Sequence, residues 1–243
     1  MTNAIIDRSK DVSIIVPALN EEALIEKVLV HARQTAPKSE LIVVDGGSKD
    51  KTVRIAQKYA KVLSSKGRVG RARNAGANIA AGKYLLFLDA DTYLNTHFFN
   101  AALSAFSDPK VVGVGGKIMP EHLNPAERIM FEAFNAMIAA SFAAGKPVLA
   151  GTCVMYRKNP FRKAGGFDEG RAASEDFDLC ERMAKIGKVV FLSNAITRTS
   201  KRRLTQMGIL GLVNDWSRTT WKYYSGVKEQ EYAAVRKKTA KPK

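Results

Sequence analysis

The sequence predicts an α/β fold built on a central, mostly parallel sheet with helices on its faces. Three observations support this. Short β-branched runs alternate with amphipathic stretches, as at residues 12–16 before 20–35 and at 41–44 before 51–59. Each run stops at a turn residue and a helical pattern follows at once, the βαβ order of parallel winding. The most apolar run, Tyr84-Leu85-Leu86-Phe87-Leu88, ends in Asp89 and Asp91, at the edge where open α/β sheets hold ligands.

Taken in order, Val12-Ser13-Ile14-Ile15-Val16 reads as a strand stopped by Pro17, and Asn20-Glu21-Glu22 opens a helix to about Thr35. Leu41-Ile42-Val43-Val44 reads as a second strand, ending in Asp45-Gly46-Gly47-Ser48 before a helix to about Tyr59. Val62-Leu63 suggests a short third strand, and residues 71–81 a helix stopped at Gly82. Residues 111–117 read as a close-packed strand with Gly113, Gly115 and Gly116. Phe131, Phe134, Ile138 and Phe142 recur at the spacing of a core helix. Asn159-Pro160 looks like a cap and first turn of a short helix ended by Gly165, and Ser174 like the cap of a helix opening on Glu175 and Asp176.

With 243 residues, 46% hydrophobic and 26% charged, the chain is long enough to bury a real core and reads as globular. Its 39 Lys and Arg against 23 Asp and Glu give +16, which points to an anionic partner: nucleic acid, an anionic membrane surface or a phosphorylated substrate. Cys153 and Cys180 form no metal-type pair and read as free, buried thiols of a reducing compartment. Asp7, Arg8, Lys10 and Asp11 interrupt any signal-like segment, so a cytoplasmic location is expected. Residues 129–144 contain Glu132 and Asn135. As a helix they would reach about 24 Å, short of the roughly 30 Å hydrocarbon thickness.

Successive strands thus deliver Asn20 and Glu21, then Asp45, then Asp89 and Asp91, to one rim of one sheet. Asp-x-Asp side chains at a strand end suit a hard cation such as Mg²⁺ or Mn²⁺. A single Asp-Gly-Gly-Ser stretch is also an ordinary turn capping the next helix; three polar endings in series favour a site. Neither Gly-x-Gly-x-x-Gly after the first strand nor a P-loop is present, so neither a nicotinamide site nor a P-loop is indicated.

The set Val12-Ser13-Ile14-Ile15-Val16-Pro17-Ala18-Leu19-Asn20-Glu21, Val44-Asp45-Gly46-Gly47-Ser48, Ala72-Arg73-Asn74, Asp89-Ala90-Asp91, Gly165-Gly166-Phe167-Asp168-Glu169 and Ser174-Glu175-Asp176-Phe177-Asp178-Leu179 resembles family 2 glycosyltransferases of the GT-A fold, in order and over about residues 12–200. The resemblance implies a nucleoside diphosphate sugar donor, a divalent metal and inversion at the anomeric carbon. It implies that Pro17 and Leu19 line the base pocket, that Glu21 belongs to the donor site, and that Asp45 accepts from the base. Arg71 and Arg73 would lie near the diphosphate, Asp89 near the ribose or metal, and Asp91 on the metal. A solvated helix face is the alternative for both arginines. Two departures stand out: Asp45-Gly46 replaces a pair of aspartates, and no histidine follows His122 to complete the metal shell, which then relies on Asp91, the diphosphate and water.

Inverting transfer to a hydroxyl needs a carboxylate beside the acceptor, and Asp176 is the candidate base with Glu175 as its neighbour. Acidic residues at a helix N-terminus also favour the dipole, and an acceptor phosphate, already ionised, would need Asp176 only to position it. Arg198, Lys201, Arg202 and Arg203 cluster near Thr199-Ser200; such a cluster suits the donor diphosphate, to which Arg202 and Arg203 are assigned, or an acceptor phosphate, with a solvated surface as the alternative. Trp216, Trp221, Tyr223 and Tyr224 precede a basic tail, a mix suited to peripheral contact with anionic lipid on the inner face of a membrane.

The expected organisation is a glycosyltransferase domain over residues 1–205, with a nucleotide-binding half at about 10–92 and an acceptor half at about 93–205, followed by a basic helical extension over 206–243. The expected acceptor is a glycan, a lipid-linked sugar or a polyprenyl phosphate. Two rivals are a sugar nucleotidyltransferase and a basic nucleic-acid-binding protein. The first lacks its glycine-rich basic stretch after the first strand; the second leaves the acidic strand ends unexplained, and no nucleic-acid partner is expected.

Overall fold

The structure is a computed structural model that describes residues 8–226. Within them a single sheet is formed by β1 (Val12–Ala18), β2 (Glu40–Asp45), β3 (Lys61–Ser64), β4 (Tyr84–Leu88), β5 (Thr92–Tyr93), β6 (Val111–Pro120), β7 (Cys153–Arg157) and β8 (Lys188–Thr199). The helices are α1 (Ile25–Thr35), α2 (Thr52–Ala56), α3 (Val69–Ile79), α4 (Thr96–Ala105), α5 (Pro125–Ala143), α6 (Lys158–Lys163), α7 (Glu175–Ala184) and α8 (Arg202–Tyr224). The strand order is β3-β2-β1-β4-β7-β6-β8-β5. The first four strands in that order are mutually parallel, β7 opposes β4 and β6, β8 follows β6, and β5 opposes β8.

The apolar runs are continuous because both sheet faces are covered. β1 sends Ile14 and Val16 into a core with Val28 and Leu29 of α1 and Phe98 and Phe99 of α4. It sends Ile15 into a second core with Ala77 of α3, Phe161 of α6 and Leu179 and Met183 of α7. A third cluster, Met119, Phe131, Leu204 and Leu212, fastens α5 and α8 to the end of β6. Cys153 and Cys180 are free and buried as expected, and burial pushes both thiols up to about 12.

The five expected strands all form, and the core helix runs from a capping box of Asn124 and Glu127. Its Asn135 is buried and hydrogen-bonds both the N–H and the carbonyl of Ile118, at 2.9 and 2.8 Å, so the polar interruption closes the backbone of β6. Several expectations need correction. The first helix starts at Ile25, since Asn20 is left-handed (φ 54°) and its side chain accepts from Lys49 N–H at 2.8 Å. Asn159 lies inside α6, which begins after an extended Arg157 without a side-chain cap. Ser174 is left-handed (φ 58°) and makes no side-chain cap. The strands β5, β7 and β8 were not anticipated. Among the described residues no helix is long and apolar enough to cross a membrane. The expected basic tail at 227–243 lies outside the described residues.

Candidate active site

Strand register brings the predicted endings together. Ala18 pairs with Asp45 across β1 and β2, and Ile15 pairs with Phe87 across β1 and β4, so Pro17, Leu19, Asp45 and Asp89 leave the sheet at one rim. Asp45 is buried and accepts from the N–H groups of Gly47 (2.9 Å) and Ser48 (3.1 Å), which shapes the turn after β2. The N–H of Gly46 donates to the Ala18 carbonyl at 2.8 Å, tying that turn to the loop carrying Leu19.

Arg73 is the link between the two ends of the sequence. It is 3% exposed, and its guanidinium donates to Asp89 at 2.9 Å, to Glu175 at 2.7 Å and to the Gly151 carbonyl at 3.0 Å. Phe167 lies under it, with the guanidinium carbon 5.2 Å from the ring centroid. Arg73 joins the strand-end carboxylate of Asp89 to the acidic helix start, because a buried guanidinium satisfies its donors on nearby carboxylates and carbonyls.

Glu175 and Asp176 open α7 above this arginine. Asp176 is half-buried and accepts from the Gly151 N–H at 2.7 Å and the Phe177 N–H at 2.9 Å. Burial holds the Asp176 carboxyl above its ordinary range, opposed by the Gly151 amide and Arg73. Glu175 is raised more, by burial and then by the Asp176 charge, with Arg73 opposing. Two neighbouring carboxylates whose proton affinity is raised suit proton transfer. A Cβ on Gly151 would lie 2.9 Å from an Arg73 nitrogen and 3.1 Å from the Asp176 Cβ, so only glycine lets this backbone approach both.

Asp91 faces the start of α8. Ser200 donates its hydroxyl to Asp91 at 2.8 Å and its N–H to the Asp91 carbonyl at 2.8 Å. Arg202 makes a bidentate pair with buried Glu21, at 2.7 and 2.8 Å, and places one nitrogen 3.4 Å from Asp91. Its proton affinity is raised, chiefly by the hydrogen bonds to Glu21. Glu21 thus reaches the site as the anchor of Arg202.

The remaining basic candidates separate from this group. Arg203 pairs with Asp215 inside α8. Arg71 is exposed on α3, 3.8 Å from Glu169, as the solvated-face reading has it. Lys201 donates to Glu127 at 2.6 Å. Sequence reasoning missed Gly151 and Ser200 as contributors. Gly151 carries no local signal, whereas Ser200 stood beside the noted basic cluster but could be paired with Asp91 only once Thr92 and Thr199 were in register.

Among the described residues no three His, Cys, Asp or Glu side chains converge on one point. The oxygens of Asp89, Asp91 and Ser200 are a hard donor set, and the Arg202 guanidinium at 3.4 Å stands in for a cation at Asp91. That set fits Mg²⁺ or Mn²⁺ drawing the rest of its shell from phosphate and water.

The sequence profile of Glycosyl transferase family 2 matches residues 13–165. The chain belongs to that family. This match sets aside the nucleotidyltransferase and nucleic-acid-binding rivals. Among curated relatives, the family 2 glycosyltransferase described here is 26% identical over 230 residues to the O-antigen chain rhamnosyltransferase WbaN of Salmonella anatum, covering 84% of this chain and 73% of that one. It is 35% identical over 130 residues to the poly(ribitol-phosphate) β-N-acetylglucosaminyltransferase TarS of Staphylococcus aureus, covering 46% of this chain and only 22% of TarS. Solved structures agree on the GT-A fold. Glucosyl-3-phosphoglycerate synthase of Mycobacterium tuberculosis, with Mn²⁺ and UDP-glucose, superposes at TM-score 0.65 and 19% identity over 95% of this chain and 85% of that one. The mannosyltransferase PcManGT of Pyrobaculum calidifontis, with GDP-mannose and Mn²⁺, gives 0.65 and 19% over 86% and 64%.

Proposed function

We propose that this chain transfers a glycosyl group from a nucleoside diphosphate sugar to a glycan or lipid-linked acceptor, a polyprenyl phosphate included, with inversion at the anomeric carbon. The observation that carries the reading is the Arg73 bridge: one buried guanidinium holds Asp89 and Glu175, 102 residues of chain separating Arg73 from the latter, so donor-side and acceptor-side acids face one space. The division of labour follows the chain, with residues 10–92 as the donor half and 93–205 as the acceptor half.

In this reading the backbone around Pro17 and Leu19 and the Asp45 carboxylate hold the base, and Asp89 lies by the ribose. Asp91 with Asp89 would hold Mg²⁺ or Mn²⁺, which when bound neutralises charge growing on the leaving diphosphate. Arg202, kept in place by Glu21, adds a guanidinium to the same charge. Asp176 takes the proton of an acceptor hydroxyl as its oxygen bonds to the anomeric carbon and the bond to the diphosphate breaks, releasing the nucleoside diphosphate. With an acceptor phosphate, already ionised, Asp176 only positions it. The Mn²⁺ and nucleotide sugars in the structural neighbours support the donor class.

Thermal shift against a panel of nucleoside diphosphate sugars, with and without Mn²⁺, tests the reading. The matching donor at a hundred times its Kd adds about 2.7 kcal/mol of apparent stability, and only with metal. A flat response across the panel would overturn it.

A further inference from the structure

We infer that the outward face of α8, with the adjoining face of α5, is a docking surface for an anionic phospholipid bilayer. Large apolar side chains stand in solvent there: Leu210 is 85% exposed, Ile129 70%, Met137 66% and Trp221 65%, with Val213 and Tyr224 also exposed. On α8 they recur as Leu210, Val213, Trp221 and Tyr224, one stripe at helical spacing, opposite the packed Leu212 and Asp215. The two helices are neighbours, since Trp216 stacks on Phe134 at 4.3 Å between ring centroids and the Lys146 ammonium stands 5.8 Å from the Tyr224 ring centroid. Large apolar side chains gathered along one helical stripe mark an interaction site more than scattered exposure does.

Charge selects the occupant. Exposed Arg128 and Lys146 on the α5 side and half-exposed Arg218 on α8 flank the stripe, on a chain of net charge +16. A second copy of so basic a chain would be repelled, whereas anionic headgroups attract it, and a Trp and a Tyr beside cations suit the headgroup boundary. Of the four aromatics expected at a lipid surface, Trp216 and Tyr223 instead face inward, Tyr223 against Phe177 beside the candidate base, at 5.9 Å between ring centroids. The α8 segment, broken by a left-handed Gly208 (φ 67°), therefore carries Arg202 toward Asp91 before the break and touches the Asp176 helix after it. Docking would set the acceptor side of the site next to the bilayer. Its purpose rests on the lipid-linked acceptor of the proposed function, while its binding chemistry is independent of it.

The test is co-sedimentation of the full chain with phosphatidylcholine vesicles, with and without phosphatidylglycerol, at low and high salt. Binding is expected only with phosphatidylglycerol, weakened by salt. The double variant Leu210→Glu/Trp221→Glu is expected to lower the partition coefficient at least about tenfold, with an unchanged melting temperature. Failure of the unaltered chain to sediment, or equal sedimentation of the double variant, would overturn the proposal. So would a dimer in sedimentation velocity that the double variant abolishes. Vesicle binding without any donor-induced thermal shift supports the surface while counting against the proposed function.

Discussion

The donor side and the acceptor side of the rim carry the same chemical group in opposite settings. Asp89 and Asp91 end a strand and the start of a loop, with side chains 33% and 24% exposed, and local register alone brings them to the edge. Glu175 and Asp176 open α7, the Glu175 side chain 9% exposed, fixed by Arg73 and by Gly151 from two distant segments. Half-exposed carboxylates at a strand end leave room for a cation, whereas burial raises the proton affinity of Glu175 and Asp176, which suits proton transfer. In the proposed mechanism that difference separates a charge sink from a proton acceptor, and Arg73 ties the two sides together.

Removing the tie has the largest expected effect. Arg73→Met leaves three carboxylates facing each other without their cation and is expected to cost about 3–5 kcal/mol of unfolding free energy in denaturant titration. A loss near zero would mean that the two sides are not held by this pair.

Next comes the donor side. Asp91→Asn is expected to lower metal-dependent turnover on the order of 10³-fold with the melting temperature kept, measured as steady-state rates over a Mn²⁺ series. Turnover close to the unaltered chain's would remove Asp91 from the charge sink.

On the acceptor side, Asp176→Asn is expected to cut kcat on the order of 10²-fold while donor Kd stays unchanged by calorimetry. Matching loss of donor affinity in both variants would erase the contrast. With a hydroxyl acceptor, the acid limb of the pH profile should lie above the ordinary aspartate range, because the base form must be present and burial raises its proton affinity. Stability runs the other way. Glu175, pushed up to about 7, binds its proton more tightly folded than unfolded. Its contribution is full below about pH 4, the unfolded value, and fades as pH rises through the raised folded value. Glu175→Gln should flatten that slope in denaturant titrations taken across the interval.

The smallest effect belongs to Ser200→Ala, which removes the hydroxyl from Asp91 and should weaken Mn²⁺ binding severalfold, on the scale of about 1 kcal/mol for one hydrogen bond. Isothermal titration of Mn²⁺ with nucleoside diphosphate reads it directly, and an unchanged constant would place Ser200 outside the cation shell.

Much of the donor side was legible residue by residue. The Asp45-Gly46-Gly47 turn and the Asp89-Ala90-Asp91 ending follow apolar runs whose period and length name them as strands, and the turn chemistry is local. The partners of Arg73 and Arg203 were not legible for one reason: an arginine's partner is chosen by what burial leaves unpaired, and Glu175 and Asp215 are named only by the folded chain. β7, Cys153–Arg157, shows itself only through its antiparallel pairing with β4 and β6, which are distant in sequence.

What the sequence by itself determined is the α/β winding and the acidic rim, since both arise from apolar periodicity and from turns encoded within a few residues. Only the tertiary structure decided that Arg73, Gly151 and Asp176 meet, that Arg202 rests on Glu21 and that Trp216 turns inward while Trp221 faces solvent. Those choices depend on which buried polar groups and apolar faces find partners at separations from 25 to 181 residues of chain, and no local pattern carries that information.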